Sequence, residues 1–171
     1  MITRARFCSI PTMTEDESFL AAFEAGTWPF EKWHHREHIR VAYLYLCRYP
    51  YDWALEKMRS GIKALNIAHK VPDKPDRGYH ETMTQAWMRL THQALHECGK
   101  SESSEVFLSR HASLLSKDAI LAHYTKERIM SPEARQQFIE PDLKPLPEAS
   151  NAPAGHIAAA KTPASASHQA F

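Results

Sequence analysis

Apolar residues recur every three to four positions along most of the chain, and proline-containing or strongly polar segments separate these runs. An apolar stripe with this period is the pattern of an amphipathic helix that buries one face. The runs therefore predict an all-α fold, a compact bundle of about five to seven helices. The predicted helices span about 15–25, 34–48, 51 to the loop at 70–78, 79–98, 104–114, 116–124 and 132–139.

Local sequence signals mark several features of these helices. Thr14 and Glu17 have the spacing of a capping box, in which each side chain bonds the backbone N–H of the other residue. Pro132 follows Ser131 and favours a helix start there, because proline suits the first helical position. Gly61 interrupts the apolar stripe of the third helix, which indicates the close approach of a neighbouring helix.

Composition divides the chain into three segments. Residues 14–147 carry all the predicted helices and form a single helical domain. Residues 1–13 precede the first cap and are predicted to be a flexible N-terminal arm. Residues 148–171 are rich in Ala, Ser, Pro, Thr and Asn and lack an apolar period, so they are predicted to be a disordered tail.

The charges nearly balance, since 21 Lys and Arg against 20 Asp and Glu give a net charge of +1 with His neutral. An even balance without a basic stripe gives little support to nucleic-acid binding. No run reaches the ~18 apolar residues of a membrane span, and no signal peptide is evident. We therefore expect a cytoplasmic protein that binds neither nucleic acid nor a membrane. Its expected partner is a small-molecule substrate, and its oligomeric state stays open.

Two polar clusters open the second and fourth predicted helices. The first is Trp33–His38, which holds three of the chain's 11 histidines within five residues. The second is the sequence Tyr79-His80-Glu81-Thr82, about forty residues later. We expect the two helix starts to meet in space and to form one site.

The first cluster has a spacing that suits metal binding, because residues three or four apart on a helix point the same way. His35 and His38 have the first spacing, and His80 is the best third ligand. The sequence thus predicts a divalent-metal site, for Zn, Fe, Mn or Ni, with His35, His38 and His80 as ligands. Glu81 is predicted to be a fourth ligand or the general base.

Two further residues complete the predicted active site. Tyr79, beside His80, is expected to donate a hydrogen bond to a bound oxygen, and Arg128 to hold an anionic group of a small substrate. Trp33 is expected either to wall an apolar pocket beside the histidines or to pack in the core. The sequence does not separate an oxygen-using reaction from a hydrolytic one.

The main alternative is a non-catalytic helical binding or interaction module with a structural histidine network. That hypothesis predicts that the three histidines diverge, or that backbone carbonyls cap them. A zinc-protease motif is rejected, because Glu37 directly precedes His38 and the HExxH order is not formed. The pair His92 and His96 is predicted to be a surface feature, and the cysteines, which have no CxxC spacing, are predicted to be free thiols.

Overall fold

A computed structural model describes residues 13–72, 74 and 77–151. The predicted arm at 1–13 and the predicted tail at 148–171 lie mostly outside the described residues. The described chain is helical and contains no strand, which confirms the predicted all-α fold. Its helices are α1 (Glu15–Glu24), α2 (His35–Arg48), α3 (Tyr51–Ala68), α4 (Glu81–Cys98), α5 (Ser104–Arg110), α6 (Asp118–Leu121), α7 (Lys126–Ile129) and α8 (Pro132–Gln136).

Helix α2 lies at the centre of the bundle and contacts α1, α3, α4 and α5. Every residue from 39 to 46 is buried, so the helix is covered on all sides in this stretch. Its apolar side chains form the main core together with those of α1, α3, α4 and α5. Within the described part of the chain, none of the helices combines the length and apolar character needed to cross a membrane.

Helix α1 begins where its capping box predicts. The Thr14 N–H donates to the Glu17 carboxylate at 2.8 Å, and the Glu17 N–H donates to the Thr14 hydroxyl at 3.2 Å. The helix packs its Phe23 ring against α3 at Gly61, where an added Cβ would lie 2.5 Å from the ring. The close approach predicted at Gly61 is therefore confirmed.

A second, smaller core lies beyond α4. It is built by α4, the short helices α6, α7 and α8, and the extended chain that follows α8. The extended chain is fastened at His123, whose Nδ1 lies 2.9 Å from the Lys144 carbonyl oxygen and whose own carbonyl accepts from the Leu143 N–H at 3.0 Å. This arrangement covers the side of α4 that faces away from α2.

The structure differs from the prediction in the short helices. The helix predicted at 104–114 ends at Arg110, because His111 leaves the helical backbone with φ −115° and ψ 49°. A 3₁₀ turn follows at Ala112–Leu115. Helix α7 was not predicted, although Thr125 caps it by accepting from the Arg128 N–H at 3.3 Å. A threonine cap was thus the signal for α7 that the apolar pattern did not reveal.

Candidate functional site

The starts of α2 and α4 meet at one cavity of about 490 Å³. His34, His35 and His38 reach it from the first helix start, and Tyr79 and His80 from the second. Side chains from α3 and from the chain around α6 complete the lining. The apolar part of the lining consists of Trp33, Ala42, Met58, Ile62, Met83, Trp87, Met88 and Ile120.

His35 is held in a single orientation by the chain after α5. Its Nε2 lies 2.8 Å from the carbonyl oxygen of Leu114, which can only accept, so Nε2 carries the proton. The lone pair of the neutral ring is then on Nδ1. Burial lowers the pKa of His35, and the positive charge of Lys117 also contributes, so the ring is neutral at pH 7.

The ring of His38 has no hydrogen-bond partner among the described residues, unlike the rings of His35 and His80. Its ring centroid lies 4.3 Å from that of Trp33, which is the contact that positions it. Burial, followed by the neighbouring His35 and Lys117, lowers the pKa of His38 to about 3. The ring therefore presents one N–H and one lone pair, neither of which is bonded within the described chain.

His80 differs from His38, because both of its ring nitrogens form hydrogen bonds. Nδ1 accepts the Met83 N–H at 3.3 Å and so caps α4, while Nε2 lies 2.9 Å from the Ile129 carbonyl oxygen and donates to it. The residue is 7% exposed, and burial lowers its pKa. In this arrangement His80 has no lone pair left for a metal ion.

Glu81 is held by three neighbours and does not line the cavity. It accepts from Arg59 Nε at 3.0 Å, from the Tyr79 hydroxyl at 2.6 Å and from Gln85 Nε2 at 2.6 Å. Burial by itself would raise the pKa of Glu81, but these hydrogen bonds outweigh it and lower the pKa overall. The carboxylate is thus fixed by a buried network at the start of α4.

The two residues predicted to assist the substrate lie in different places. Tyr79 lines the cavity, but its hydroxyl proton is donated to Glu81. Burial, with the adjacent Glu81 carboxylate, raises the pKa of Tyr79, so the phenol stays protonated. Arg128 is exposed on α7, donates to the Glu140 carbonyl at 2.7 Å and does not line the cavity.

Side chains that can bind a metal ion do not cluster in the described chain. No cluster of three or more His, Cys, Asp or Glu side chains there has an arrangement that could hold a metal ion. Of the three predicted ligands, His35 and His38 keep a lone pair and His80 does not. The predicted three-histidine set therefore reduces to a pair in this arrangement.

Trp87 and Lys117 line the cavity but were not predicted to belong to the site. Trp87 lies two turns after His80 on α4, and its ring centroid is 4.4 Å from that of His35. The seven-residue spacing on one helix face could have placed it in the site. Lys117 precedes α6 and offered no such signal, since it comes from a part of the chain far from both helix starts.

The second histidine pair is not the surface feature predicted. His96 is exposed, but His92 is only 7% exposed and packs its ring 5.3 Å from that of Tyr51. The surface prediction is therefore wrong for His92. Its position on the inner face of α4 follows from the apolar stripe that the helix buries against α3.

Comparison of the chain with protein-family models, with curated proteins and with solved structures finds no match. Function is therefore argued from the cavity and its side chains.

Proposed function

We propose that the protein binds a small organic molecule in the histidine cavity and acts on it through His38. The observation that carries this proposal is the contrast among the three histidines that are at least half-buried in the cavity: His35 and His80 are fixed by backbone carbonyls, while His38 has no bonded partner among the described residues. The fourth histidine of the lining, His34, is exposed. A cavity of about 490 Å³ is of the size that holds small-molecule ligands. A mainly apolar lining with few polar groups is also typical of such sites.

The low pKa of His38 determines which chemical roles its ring can have toward a ligand in the cavity. At pH 7 the ring is neutral, so it offers one N–H that can donate a hydrogen bond to a bound molecule and one lone pair that can accept one. With a pKa of about 3 the ring is a weak base, so it takes a proton from a ligand only where the bound ligand raises the pKa of His38 toward 7. Burial of a polar ligand beside the ring would change its surroundings and hence its pKa.

The proposal is tested by screening a fragment library against ¹⁵N-labelled protein by NMR. We expect hits whose shift changes centre on the backbone of α2 around His38 and on the Trp33 and Trp87 indole N–H signals. The variant His38→Leu should weaken polar hits, whereas the matched variant His96→Leu, on the exposed face of α4, should bind them as the wild type does. Hits that map away from the cavity, or the absence of any hit, would contradict the proposal.

A second candidate function is a metal-dependent reaction at the same cavity. One observation favours it: the His35 Nε2–H donates to a carbonyl and leaves Nδ1 with a lone pair, as in most metal-binding histidines. His35 and His38 would supply two ligands, and a bound divalent ion would act as a Lewis acid or activate a water molecule. His80 does not fit the ligand set, because both of its ring nitrogens are bonded.

Metal content measured by plasma mass spectrometry, before and after addition of Zn²⁺, Fe²⁺, Mn²⁺ or Ni²⁺, tests this candidate. About one ion per chain that is lost in both His35→Ala and His38→Ala, and retained in His96→Ala, would support it. Wild-type protein without metal after reconstitution would remove it. That outcome would leave the small-molecule proposal standing, since His38 needs no metal to form a hydrogen bond with a ligand.

A further inference from the structure

We infer that the cavity prefers an organic anion with a planar apolar body, such as an aromatic carboxylate, and that Lys117 selects the negative charge. The inference rests on the proposed small-molecule function and names its ligand class. It is carried by the distribution of charge around the cavity and by the shape of the side chains that line it.

Among the described residues that line the cavity, Lys117 alone carries a permanent charge, and no carboxylate is present. The two nearest acidic side chains at the helix starts are already engaged. Glu37 accepts the His34 N–H at 3.1 Å, and Glu81 is paired with Arg59 outside the lining. A cationic ligand would therefore find no counter-charge within the described lining, whereas an anionic one would find Lys117.

Lys117 is exposed and makes no ion pair with any described residue. Its charge nevertheless reaches the interior of the cavity, because it lowers the pKa of both His35 and His38. The Glu37 carboxylate opposes it at His35, but no described carboxylate acts on the pKa of His38. An ammonium group that is unpaired and yet close to two half-buried rings is placed to bind a carboxylate at the cavity mouth. A bound anion would oppose its effect on the rings.

The helix directions add to this preference. Both α2 and α4 begin at the cavity, and the N-terminal end of a helix carries a partial positive charge. The two helices are 14 and 18 residues long, so both have full-length dipoles. The partial charges at their starts therefore have the same sign as Lys117.

The walls favour a flat body for the ligand. Two indole rings, those of Trp33 and Trp87, line the cavity together with Met58, Met83 and Met88. The half-buried Trp87 indole can stack on a planar ring, whereas Trp33 already stacks on Phe23, with 5.0 Å between the ring centroids, and forms an apolar wall. Methionine adapts its shape to an apolar surface. A planar aromatic carboxylate would place its ring among these side chains and its charge toward Lys117.

The test uses three probes of one shape and different charge: 2-naphthoate, the neutral 2-naphthamide and the cationic 2-naphthylmethylamine. Their affinities for the full chain are measured by isothermal titration calorimetry at pH 7.5 and low salt. We expect 2-naphthoate to bind at least fivefold more tightly than the amide, and the amine to bind more weakly than both. The preference should shrink in high salt, because the lysine is exposed.

Lys117 is then varied directly. Lys117→Gln should weaken 2-naphthoate roughly three- to tenfold, the range between an exposed ion pair and a charge-assisted hydrogen bond. The same variant should leave the affinity for 2-naphthamide unchanged. Lys117→Arg should restore most of the loss, and Lys126→Gln, which removes an exposed lysine that does not line the cavity, should behave as the wild type.

The outcomes separate this inference from the proposed function. Equal binding of the anion and the amide, or an equal effect of Lys117→Gln on both, would overturn the anion preference while the cavity remains a ligand site. Failure of all three probes to bind would overturn the anion inference. The fragment screen would then decide the proposed function separately.

Discussion

The starts of α2 and α4 look alike in sequence and differ in structure. Each presents histidine and glutamate beside an aromatic residue, and each faces the same cavity. At the start of α4, His80 and Glu81 use their polar atoms on neighbouring protein groups. At the start of α2, His38 keeps its ring nitrogens free of hydrogen bonds to described residues. The spacing of residues along the sequence predicts which side chains meet, but the hydrogen bonds that each side chain makes within the protein determine whether it is free to contact a ligand.

The bonding of the histidines also bears on the two hypotheses drawn from the sequence. The structural-histidine hypothesis expects carbonyl caps, and these are present at His80 and at His35. The active-site hypothesis expects histidines that share a pocket, and all three do. Under the proposed function, the start of α4 supports the cavity, and the start of α2 supplies His38 to the ligand.

The largest effect is expected from the two glutamates. Glu81→Ala leaves the Arg59 guanidinium, whose side chain is 27% exposed, without its main partner. We expect a loss of about 2–4 kcal/mol in the free energy of unfolding, somewhat less than for a fully buried pair. Glu37→Ala removes one capping interaction and should cost only about 0.5–1 kcal/mol. Urea unfolding measures the loss in each variant, and equal losses would contradict the difference between the starts of α2 and α4.

Replacing His80 and His38 should also cause unequal losses in the free energy of unfolding, with a smaller difference than between the two glutamates. His80→Ala removes the cap of α4 and the bond to Ile129, so we expect a loss of about 2–3 kcal/mol. His38→Ala removes a ring without a bonded partner and should change the free energy of unfolding by less than about 1 kcal/mol. Similar losses in the two variants would show that His38 has a structural partner.

Some of this could be predicted from sequence because the interactions are local. The Thr14 cap and the central position of α2 follow from residues a few positions apart. The role of His80 as a cap was less accessible, since histidine is not among the residues that usually begin helices. Its second bond joins residues 49 positions apart, which no local pattern predicts.

The rest of the site depends on tertiary packing. His35 is oriented by Leu114, 79 residues away, and Lys117 reaches the cavity from the same distant segment. Arg128 was expected to hold an anionic group of a substrate, but the fold places it on the surface beside Glu140. The sequence therefore predicted the helix starts that meet, and packing determined which side chains face the cavity.

Acid should weaken the fold through the histidines of the cavity. The unfolded chain binds protons on histidine near pH 6.5, whereas the lowered pKa values of His38, His35 and His80 keep the folded rings neutral. The unfolded state then binds more protons, so stability falls as the pH drops below about 6.5.

Urea unfolding at pH 7 and pH 5 isolates the part that belongs to His38. We expect the wild type to lose roughly 1–2 kcal/mol more than His38→Leu over this interval, which is below the limit of about 2.7 kcal/mol that one group can contribute over two pH units. His96→Leu should retain the wild-type pH dependence. An identical pH dependence in wild type and His38→Leu would show that the folded pKa of His38 is ordinary.

The most direct test of the central claim is a long-range ¹H–¹⁵N NMR spectrum of the histidine rings, recorded at pH 7 with and without a saturating cavity ligand. We expect the signals of the His38 ring nitrogens to shift strongly on binding, while His80 keeps the signals of a ring with a protonated Nε2 and an accepting Nδ1. Unchanged His38 signals in the presence of a ligand bound in the cavity would contradict it, as would a shift confined to His80.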